Sequence, residues 1–148
     1  MLRRATDADA EVLSSLVTAA YQHYVPRIGR QPGPMTVDYA QEVREGQVWV
    51  AVTHDVITGL IVLVREPDHL YVKNIAVLPA GQGLGIGSRL LALADERARE
   101  YGLTELRLGT NEAMTENIAY YRRRGYVETH RGPQDGYNRV FFSRKLAG

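Results

Sequence analysis

Residues 77–88 decide the fold, and they read VLPAGQGLGIGS. The preceding residues, 70–78, are mostly apolar and predict a β-strand that Pro79 ends, because proline cannot donate to a sheet ladder. The following residues, 86–101, have apolar side chains at helical spacing. A glycine-rich turn therefore lies between a strand and the start of a helix.

This turn is typical of an anion-binding site. The backbone amides in the first turn of a helix have no partner within the helix, and the helix dipole makes that end positive. Glycine at positions 83, 85 and 87 removes side chains that would hold a phosphate away from the backbone, and it permits positive φ. The sequence therefore predicts that a phosphate group lies at the start of this helix.

Two familiar phosphate loops do not fit the spacing. A P-loop ends in Gly-Lys-Ser/Thr, but no lysine occurs between Lys73 and Lys145. A dinucleotide-binding turn has a glycine or alanine three residues after its second glycine, and here that position is Ser88. A nucleotide-binding protein of another fold stays as a rival hypothesis, which predicts competition by ATP or NAD.

The rest of the chain extends this unit to one α/β domain covering residues 1–148. Apolar spacing and turn residues define the elements. Helices are predicted from a cap at Asp7 or Asp9 to near Tyr24, and at 35–43, 86–101 and 115–124. Strands are predicted at 48–52, 57–64, 70–78, 105–108 and 139–145. Loops are predicted at 26–34, which contains three prolines and two glycines, and at 131–137.

Composition excludes several classes of protein. The chain has no cysteine, which excludes disulfides, thiolate zinc sites and a cysteine nucleophile, and favours a cytoplasmic location. The formal charge of +1 argues against nucleic acid as a partner. No apolar run approaches the roughly 20 residues of a membrane span. The four histidines share no ligand spacing, so we expect no metal.

Two segments resemble the cofactor motifs of one known family. Gln82-x-x-Gly85-x-Gly87, after a strand, resembles the acetyl-CoA signature of the GNAT (Gcn5-related N-acetyltransferase) superfamily. Residues 117–126, NIAYYRRRGY, resemble its second motif, a helix with a tyrosine four residues before a glycine-aromatic pair. The order of elements along the chain also follows that of the family.

The resemblance implies a fold and an activity. The fold is an α/β (α+β) domain with a mixed, mostly antiparallel twisted sheet flanked by helices, and a splayed cofactor cleft between the parallel strands 70–78 and 105–108. The activity is transfer of acetyl from acetyl-CoA to a primary amine of a small molecule or peptide by direct attack, without a metal. A homodimer would be consistent with the family. The alternative is a non-catalytic acyl-CoA-binding or sensor module, because strand 70–78 offers no carboxylate as a general base.

The resemblance also assigns residues to the cofactor. The backbone at Ile75, Ala76 and Val77 would pair with the pantetheine amides. Asn117 would offer its amide to the cofactor, with Asn111 as the alternative asparagine, and an ordinary polar residue in the first turn of a helix is an equal interpretation of Asn117. The residues expected at the diphosphate are Gln82, Gly83, Leu84, Gly85, Ile86, Gly87 and Ser88.

Catalytic roles are expected for two side chains. Tyr121 is the candidate general acid, because a hydroxyl with a pKa near 10 can return a proton to a thiolate with a pKa of about 8.5. Its neighbour Tyr120 is expected in the core. Asn74 could orient a water that removes the proton of the ammonium group, with an ordinary polar strand residue as the alternative.

The acceptor is expected to meet the segment between the first two helices. Aromatic and basic side chains alternate there across a loop, and paired arginines suggest an acceptor that carries a carboxylate or a phosphate. An ordinary solvated loop is the alternative interpretation. The candidate acceptor-binding residues are Tyr24, Arg27, Arg30, Met35 and Tyr39.

Overall fold

A seven-stranded sheet with helices on both faces forms the protein in the computed structural model, which describes residues 1–147. The strands are β1 (Leu2–Arg4), β2 (Val48–Thr53), β3 (Val56–Arg65), β4 (Leu70–Val77), β5 (Glu105–Asn111), β6 (Val127–Gln134) and β7 (Tyr137–Lys145). The helices are α1 (Ala10–Tyr21), α2 (Val25–Ile28), α3 (Tyr39–Arg44), α4 (Ile86–Glu100) and α5 (Thr115–Arg123). Short 3-10 turns occur at Asp7–Asp9, Gln22–Tyr24, Gly33–Thr36 and Pro79–Gly81.

The sheet is mixed and mostly antiparallel, in the order β1-β2-β3-β4-β5-β7-β6. Its one parallel pair in the described residues is β4 with β5. These two strands pair only from Leu70 to Val72 and from Leu106 to Leu108, although both continue for several residues beyond that point. The strands therefore diverge towards their carboxyl ends, which confirms the predicted fold class and its splayed cleft.

Two hydrophobic cores cover the two faces of the sheet. On one face, α4 and α5 pack on the sheet through side chains such as Leu90, Ala94 and Ile118. On the other face, α1 and α3 contribute residues such as Leu13 and Val43. Because successive side chains of a strand point to opposite faces, the same strands supply alternate residues to the two cores. No helix within residues 1–147 has both the length and the apolar character needed to cross a membrane.

A bulge in β4 changes which residues face each core. Val62 pairs with Asn74 and Leu63 pairs with Val72, so Lys73 has no opposing residue on β3. An extra residue of this kind shifts the alternation of side chains along the strand. Val72, before the bulge, belongs to the core under α4, whereas Ala76, after it, belongs to the core under α1. The bulge therefore turns the side chain of Asn74 towards α1 and α3.

Sequence patterns missed two edge strands. β1 has only three residues, and β6 contains Gly132 and Pro133, which are uncommon in central strands. Because β6 is the edge of the sheet beyond β7, proline is tolerated there. The predicted loop 131–137 is instead the end of β6 and the turn into β7.

The predicted loop 26–34 is also more regular than expected. It includes most of α2, where Pro26 lies in the first turn, a position at which the missing N–H of proline costs nothing. Gly29 then ends α2 with a φ of 85°. Of the predicted helix 35–43, only the part from Tyr39 is α-helical, since Asp38 caps it by accepting a hydrogen bond from the Gln41 amide at 3.2 Å.

The close contact between α4 and β3 depends on Gly59. A Cβ atom there would lie 2.9 Å from Ile86 Cγ2 and 3.2 Å from the Ala76 carbonyl oxygen. We expect Gly59→Ala to lower the free energy of unfolding by about 1–3 kcal/mol, because neither the helix nor the strand backbone can move freely. Chemical denaturation followed by circular dichroism measures this change.

Gly132→Ala is the matched control for this prediction. It makes the same chemical change in a strand, but a Cβ at Gly132 would meet nothing within 4 Å. Its effect should stay within about 0.5 kcal/mol. Equal stability of the two variants would show that α4 does not approach β3 as closely as described.

Candidate active site

Three cavities lie in a row where β4 and β5 diverge. The loop cavity, of about 650 Å³, lies between the glycine-rich turn and α5. The interstrand cavity, of about 30 Å³, lies between the diverging ends of β4 and β5. The basic cavity, of about 520 Å³, is lined by residues of α3, β4 and the β6–β7 hairpin.

Shared side chains define the order of the three cavities. Tyr21 and Tyr121 line both the loop cavity and the interstrand cavity. Lys73, Asn74 and Arg139 line both the interstrand cavity and the basic cavity. The narrow interstrand cavity therefore lies between the two larger ones, at the gap in the sheet.

The glycine-rich turn presents unpaired amides to the loop cavity. Gly83 and Gly85 have φ values of 84° and 79°, and the first hydrogen bond of α4 runs from the Arg89 amide to the Gly85 carbonyl oxygen at 3.1 Å. The amides of residues 86–88 consequently have no acceptor within the helix. A Cβ at Gly83 or Gly85 would meet nothing within 4 Å, so the space before the turn is open. Open amides at the positive end of a helix suit a diphosphate.

Most of the cofactor candidates meet at this cavity. Leu84 is the exception, because its side chain is 69% exposed and does not line the cavity. Asn117 lines it from α5, with its Nδ2 3.5 Å from Met114 Sδ. The lining residues that the sequence singled out are Ile75, Ala76, Val77, Gln82, Gly83, Gly85, Ile86, Gly87, Ser88, Asn117 and Tyr121.

Both adjacent tyrosines of α5 line the loop cavity, although sequence analysis expected only Tyr121 there and placed Tyr120 in the core. Tyr120 is only partly buried and lines the loop cavity, with its hydroxyl 3.2 Å from Ser88 Oγ. A Cβ at Gly87 would lie 3.2 Å from the same hydroxyl, so the glycine leaves room for Tyr120. Tyr121 is the buried residue of the pair, at 6% exposure. Tyr120 is therefore a lining residue of the site that sequence analysis missed.

Tyr121 lies at the junction of the loop and interstrand cavities. Its ring packs against Tyr126 and Phe142, with centroids 6.0 Å apart in each case. Burial raises the pKa of Tyr121 above its ordinary value, the neighbouring tyrosines raise it further, and the Arg139 guanidinium opposes this change only weakly. The hydroxyl therefore stays protonated and can act as a proton donor to a group in either cavity.

Asn74 is fixed in a buried network of hydroxyl groups. Its Nδ2 donates to the Tyr39 hydroxyl at 3.0 Å, and that hydroxyl donates to the Pro34 carbonyl oxygen at 2.7 Å. The Tyr21 hydroxyl lies 2.8 Å from Asn74 Oδ1 and 2.9 Å from the Ile75 carbonyl oxygen, and its single proton can serve one of them at a time. At any moment, Tyr21 therefore donates to only one of the two oxygens, Asn74 Oδ1 or the Ile75 carbonyl oxygen.

The structure separates the candidate acceptor residues into two groups. Tyr24 and Arg27 line the loop cavity, where both bind Glu116 of α5, with Arg27 Nη1 2.8 Å from Glu116 Oε1. Burial, together with Glu116, raises the pKa of Tyr24 to about 12. The hydrogen bond from Arg27 in turn lowers the pKa of the Glu116 carboxyl. These two residues thus lie on the side of the glycine-rich turn.

Arg30 and Tyr39 instead line the basic cavity. The left-handed conformation of Gly29 reverses the chain after α2, which is why two arginines three residues apart face different cavities. Met35 packs against the core under α1 and lines none of the three cavities. In the part of the chain that the structure describes, no group of three acidic, histidine or cysteine side chains could hold a metal ion.

Comparison with known proteins defines the family. Residues 13–126 match the profile described as "Acetyltransferase (GNAT) family", and the chain belongs to that family. An aminoalkylphosphonate N-acetyltransferase of Salmonella typhimurium is 29% identical over 142 residues, covering 87% of this chain and 86% of the relative. An IAA acetyltransferase of Azospirillum brasilense is 37% identical over 79 residues, covering 53% of this chain and 50% of the relative.

A solved structure shows the same fold over nearly the whole chain. The PaiA N-acetyltransferase of Thermoplasma acidophilum, crystallised in complex with coenzyme A, superposes with a TM-score of 0.81 at 17% sequence identity. The superposition covers 99% of this chain and 98% of the other. At this identity the similarity establishes the fold alone.

Proposed function

We propose that the protein transfers the acetyl group of acetyl-CoA to the primary amine of a small molecule or peptide. The observation that carries this proposal is the row of three adjoining cavities, which extends from a turn of open amides, past the gap between β4 and β5, to a second, basic cavity. Membership of the acetyltransferase family and relatives named as acetyltransferases support it.

The residues of the loop cavity fit coenzyme A. The amides of residues 86–88 would bind the diphosphate, and the exposed main chain at Ile75, Ala76 and Val77 would pair with the pantetheine arm, as a strand edge pairs with an extended peptide. The bound coenzyme A of the Thermoplasma structure supports this use of the fold. When bound, acetyl-CoA supplies an acetyl thioester, which is open to attack by an amine.

The reaction requires two proton movements that residues of this chain can serve. The amine nitrogen forms a bond to the acetyl carbon while the carbon–sulfur bond breaks, so the nitrogen loses a proton and the sulfur gains one. Tyr121 holds a proton at its hydroxyl oxygen beside the interstrand cavity. Asn74, held by Tyr39 and approached by Tyr21, would orient the water that receives the proton from nitrogen.

A non-catalytic acyl-CoA sensor is the second candidate function. The observation that favours it is the sequence of β4, LYVKNIAV, which places no carboxylate on the strand that borders the interstrand cavity. The two candidates differ in turnover. A sensor would bind acetyl-CoA tightly and release no free thiol with any amine, whereas an acetyltransferase would release thiol in proportion to the amine acetylated.

Gly85→Asp tests the diphosphate site. An aspartate there would place a carboxylate before the open amides of α4, where its charge repels a diphosphate, so we expect the Kd of coenzyme A to rise about 100-fold or more. Isothermal titration calorimetry measures this change. Aspartate tolerates a positive φ better than most residues, which limits the effect on folding.

Gly102→Asp is the matched control for Gly85→Asp. Gly102 follows the other end of α4, has a φ of 72°, and would also meet nothing within 4 Å if it carried a Cβ. The control therefore repeats the backbone strain and the added charge away from the turn, and its Kd for coenzyme A should stay within about twofold of the original value. Unchanged binding by Gly85→Asp would contradict the diphosphate site.

Tyr121→Phe tests the general acid. We expect kcat to fall by about 100-fold or more while the Kd of coenzyme A changes little, because the ring remains and only the proton donor is lost. Tyr126→Phe is the control, since Tyr126 is another buried tyrosine of the same cluster but lines none of the three cavities. Equal rates in the original protein and Tyr121→Phe would remove Tyr121 from the mechanism.

The pH dependence of kcat follows from the raised pKa of Tyr121. A general acid must be protonated, and burial keeps this hydroxyl protonated beyond the ordinary phenol pKa of about 10. We therefore expect kcat to rise with pH as the amine loses its proton and to show no decline below about pH 10. An assay of acetylated product at fixed times, from about pH 6 to about pH 10, measures this pH dependence. A decline that begins near pH 8 and is absent in Tyr121→Phe would show that the buried hydroxyl ionises early.

A further inference from the structure

We infer that the acceptor is a short amine that carries an oxyanion, such as a carboxylate, phosphonate or phosphate, and that Arg30 and Arg139 hold this oxyanion in the basic cavity. The inference rests on the proposed function, because it identifies the substrate class of the same site. It is carried by the charges and contacts of the basic cavity and by the small size of the interstrand cavity, rather than by the glycine-rich turn.

The two arginines keep uncompensated positive charge at this cavity. Arg30 donates to the Asp135 carbonyl oxygen at 3.2 Å, and Arg139 donates to the Gly109 carbonyl oxygen at 2.8 Å. These main-chain oxygens fix each guanidinium group but carry no formal charge. Arg27, only three residues before Arg30, is different, because the Glu116 carboxylate 2.8 Å away compensates its charge.

The other charged side chains at the cavity do not remove this excess. Lys73 forms an ion pair with Glu42, so these two side chains compensate each other. The Asp135 side chain is exposed at the rim. The cavity is thus lined by three basic side chains, of Arg30, Lys73 and Arg139, and by two carboxylates. Once the Lys73–Glu42 ion pair is set aside, two guanidinium groups remain with one exposed carboxylate. A bound oxyanion would neutralise the remaining positive charge.

Both guanidinium groups are held in place before any ligand arrives. The Arg30 guanidinium lies over the Tyr137 ring, 3.7 Å from its centroid, and the Tyr137 hydroxyl donates to the Gln31 carbonyl oxygen. Tyr137 of the β6–β7 hairpin therefore contacts the Arg30 side chain through its ring and the neighbouring main chain at Gln31 through its hydroxyl group. A planar guanidinium that is already ordered can bind an oxyanion through two parallel hydrogen bonds at a small entropy cost.

The size of the interstrand cavity sets the distance between amine and oxyanion. Its volume of about 30 Å³ is much smaller than that of either neighbouring cavity, so it admits an amino group and little more. Arg139 lines both this cavity and the basic cavity. An amine in the interstrand cavity therefore has its oxyanion beside Arg139 only if the two groups are separated by a few bonds.

A matched pair of acceptors tests the inference. 3-Aminopropionate and 3-aminopropanamide have the same length and differ in the charge of one end. We expect kcat/KM to be about tenfold or more higher for the carboxylate, mainly through a lower KM, because charged hydrogen bonds to guanidinium are lost in the amide. 2-Aminoethylphosphonate and O-phosphoethanolamine, each against ethanolamine, distinguish the phosphorus oxyanions from the carboxylate by the same measurement.

Variants assign this preference to the two arginines. In Arg30→Gln and in Arg139→Gln, the ratio of kcat/KM for the oxyanion acceptor to kcat/KM for the neutral acceptor should fall by about tenfold. Arg30 is exposed, so its variant is expected to fold normally, and a thermal melt checks both variants. Arg99→Gln is the control, because it removes the same charge from the exposed face of α4.

Binding without turnover separates failure of this inference from failure of the proposed function. Calorimetric titration of the coenzyme A-loaded protein with 2-aminoethylphosphonate should show binding that Arg30→Gln weakens. Binding of this kind with no acetylated product would overturn the proposed transfer but keep the oxyanion site. Equal kcat/KM for charged and neutral acceptors, or a preference that survives in both arginine variants, would overturn the oxyanion site and keep the transferase. Preference for an uncharged peptide amine would do the same.

Discussion

The limited pairing of β4 with β5 is the constraint on which the site depends. These strands are hydrogen-bonded over only three residues each, at Leu70–Val72 and Leu106–Leu108, and then separate. Beyond that point the two strands no longer pair with each other, and main-chain carbonyl groups there meet side chains instead, as Ile75 meets Tyr21 and Gly109 meets Arg139. The two large cavities open on either side of this gap, and Tyr121 and Asn74 lie at its borders.

The bulge at Lys73 distributes the side chains of β4 between these cavities. If β4 alternated regularly through Lys73, Asn74 would lie on the same face as Val72, in the core under α4, where its carboxamide would be buried among apolar side chains. With the bulge, the carboxamide of Asn74 contacts the hydroxyl groups of Tyr21 and Tyr39 instead. The same irregularity brings Lys73 to Glu42 on α3, so one inserted residue joins the strand to two helices.

The sequence predicted the parts of the structure that depend on local patterns. The glycine-rich turn, the helix that follows it and the tyrosine of α5 are recognisable because backbone geometry and ligand approach demand particular residues at fixed spacing. The fold class and the parallel strand pair followed from the resemblance that these residues carry. The role of each of these residues in binding and chemistry stays a prediction.

Features that depend on tertiary contacts were not predictable in this way. Tyr120 and Tyr121 differ in burial because of where α5 lies on the sheet, and no local pattern distinguishes them. Arg27 and Arg30 were expected to act together, but a turn at Gly29 directs them to different cavities. The edge strand β6 has the composition of a loop, and only its pairing with β7 makes it a strand.

The contact between the β6–β7 hairpin and residues 30–34 has a consequence for how this architecture can diversify. Arg30, Tyr137 and Gln31 belong to segments that contribute nothing to the glycine-rich turn, so the two halves of the site are encoded in separate stretches of the chain. Exchange of the hairpin tip together with its facing segment would alter which molecules are accepted and leave the donor half intact. A lineage could in this way acquire new acceptors by replacing a few neighbouring surface residues.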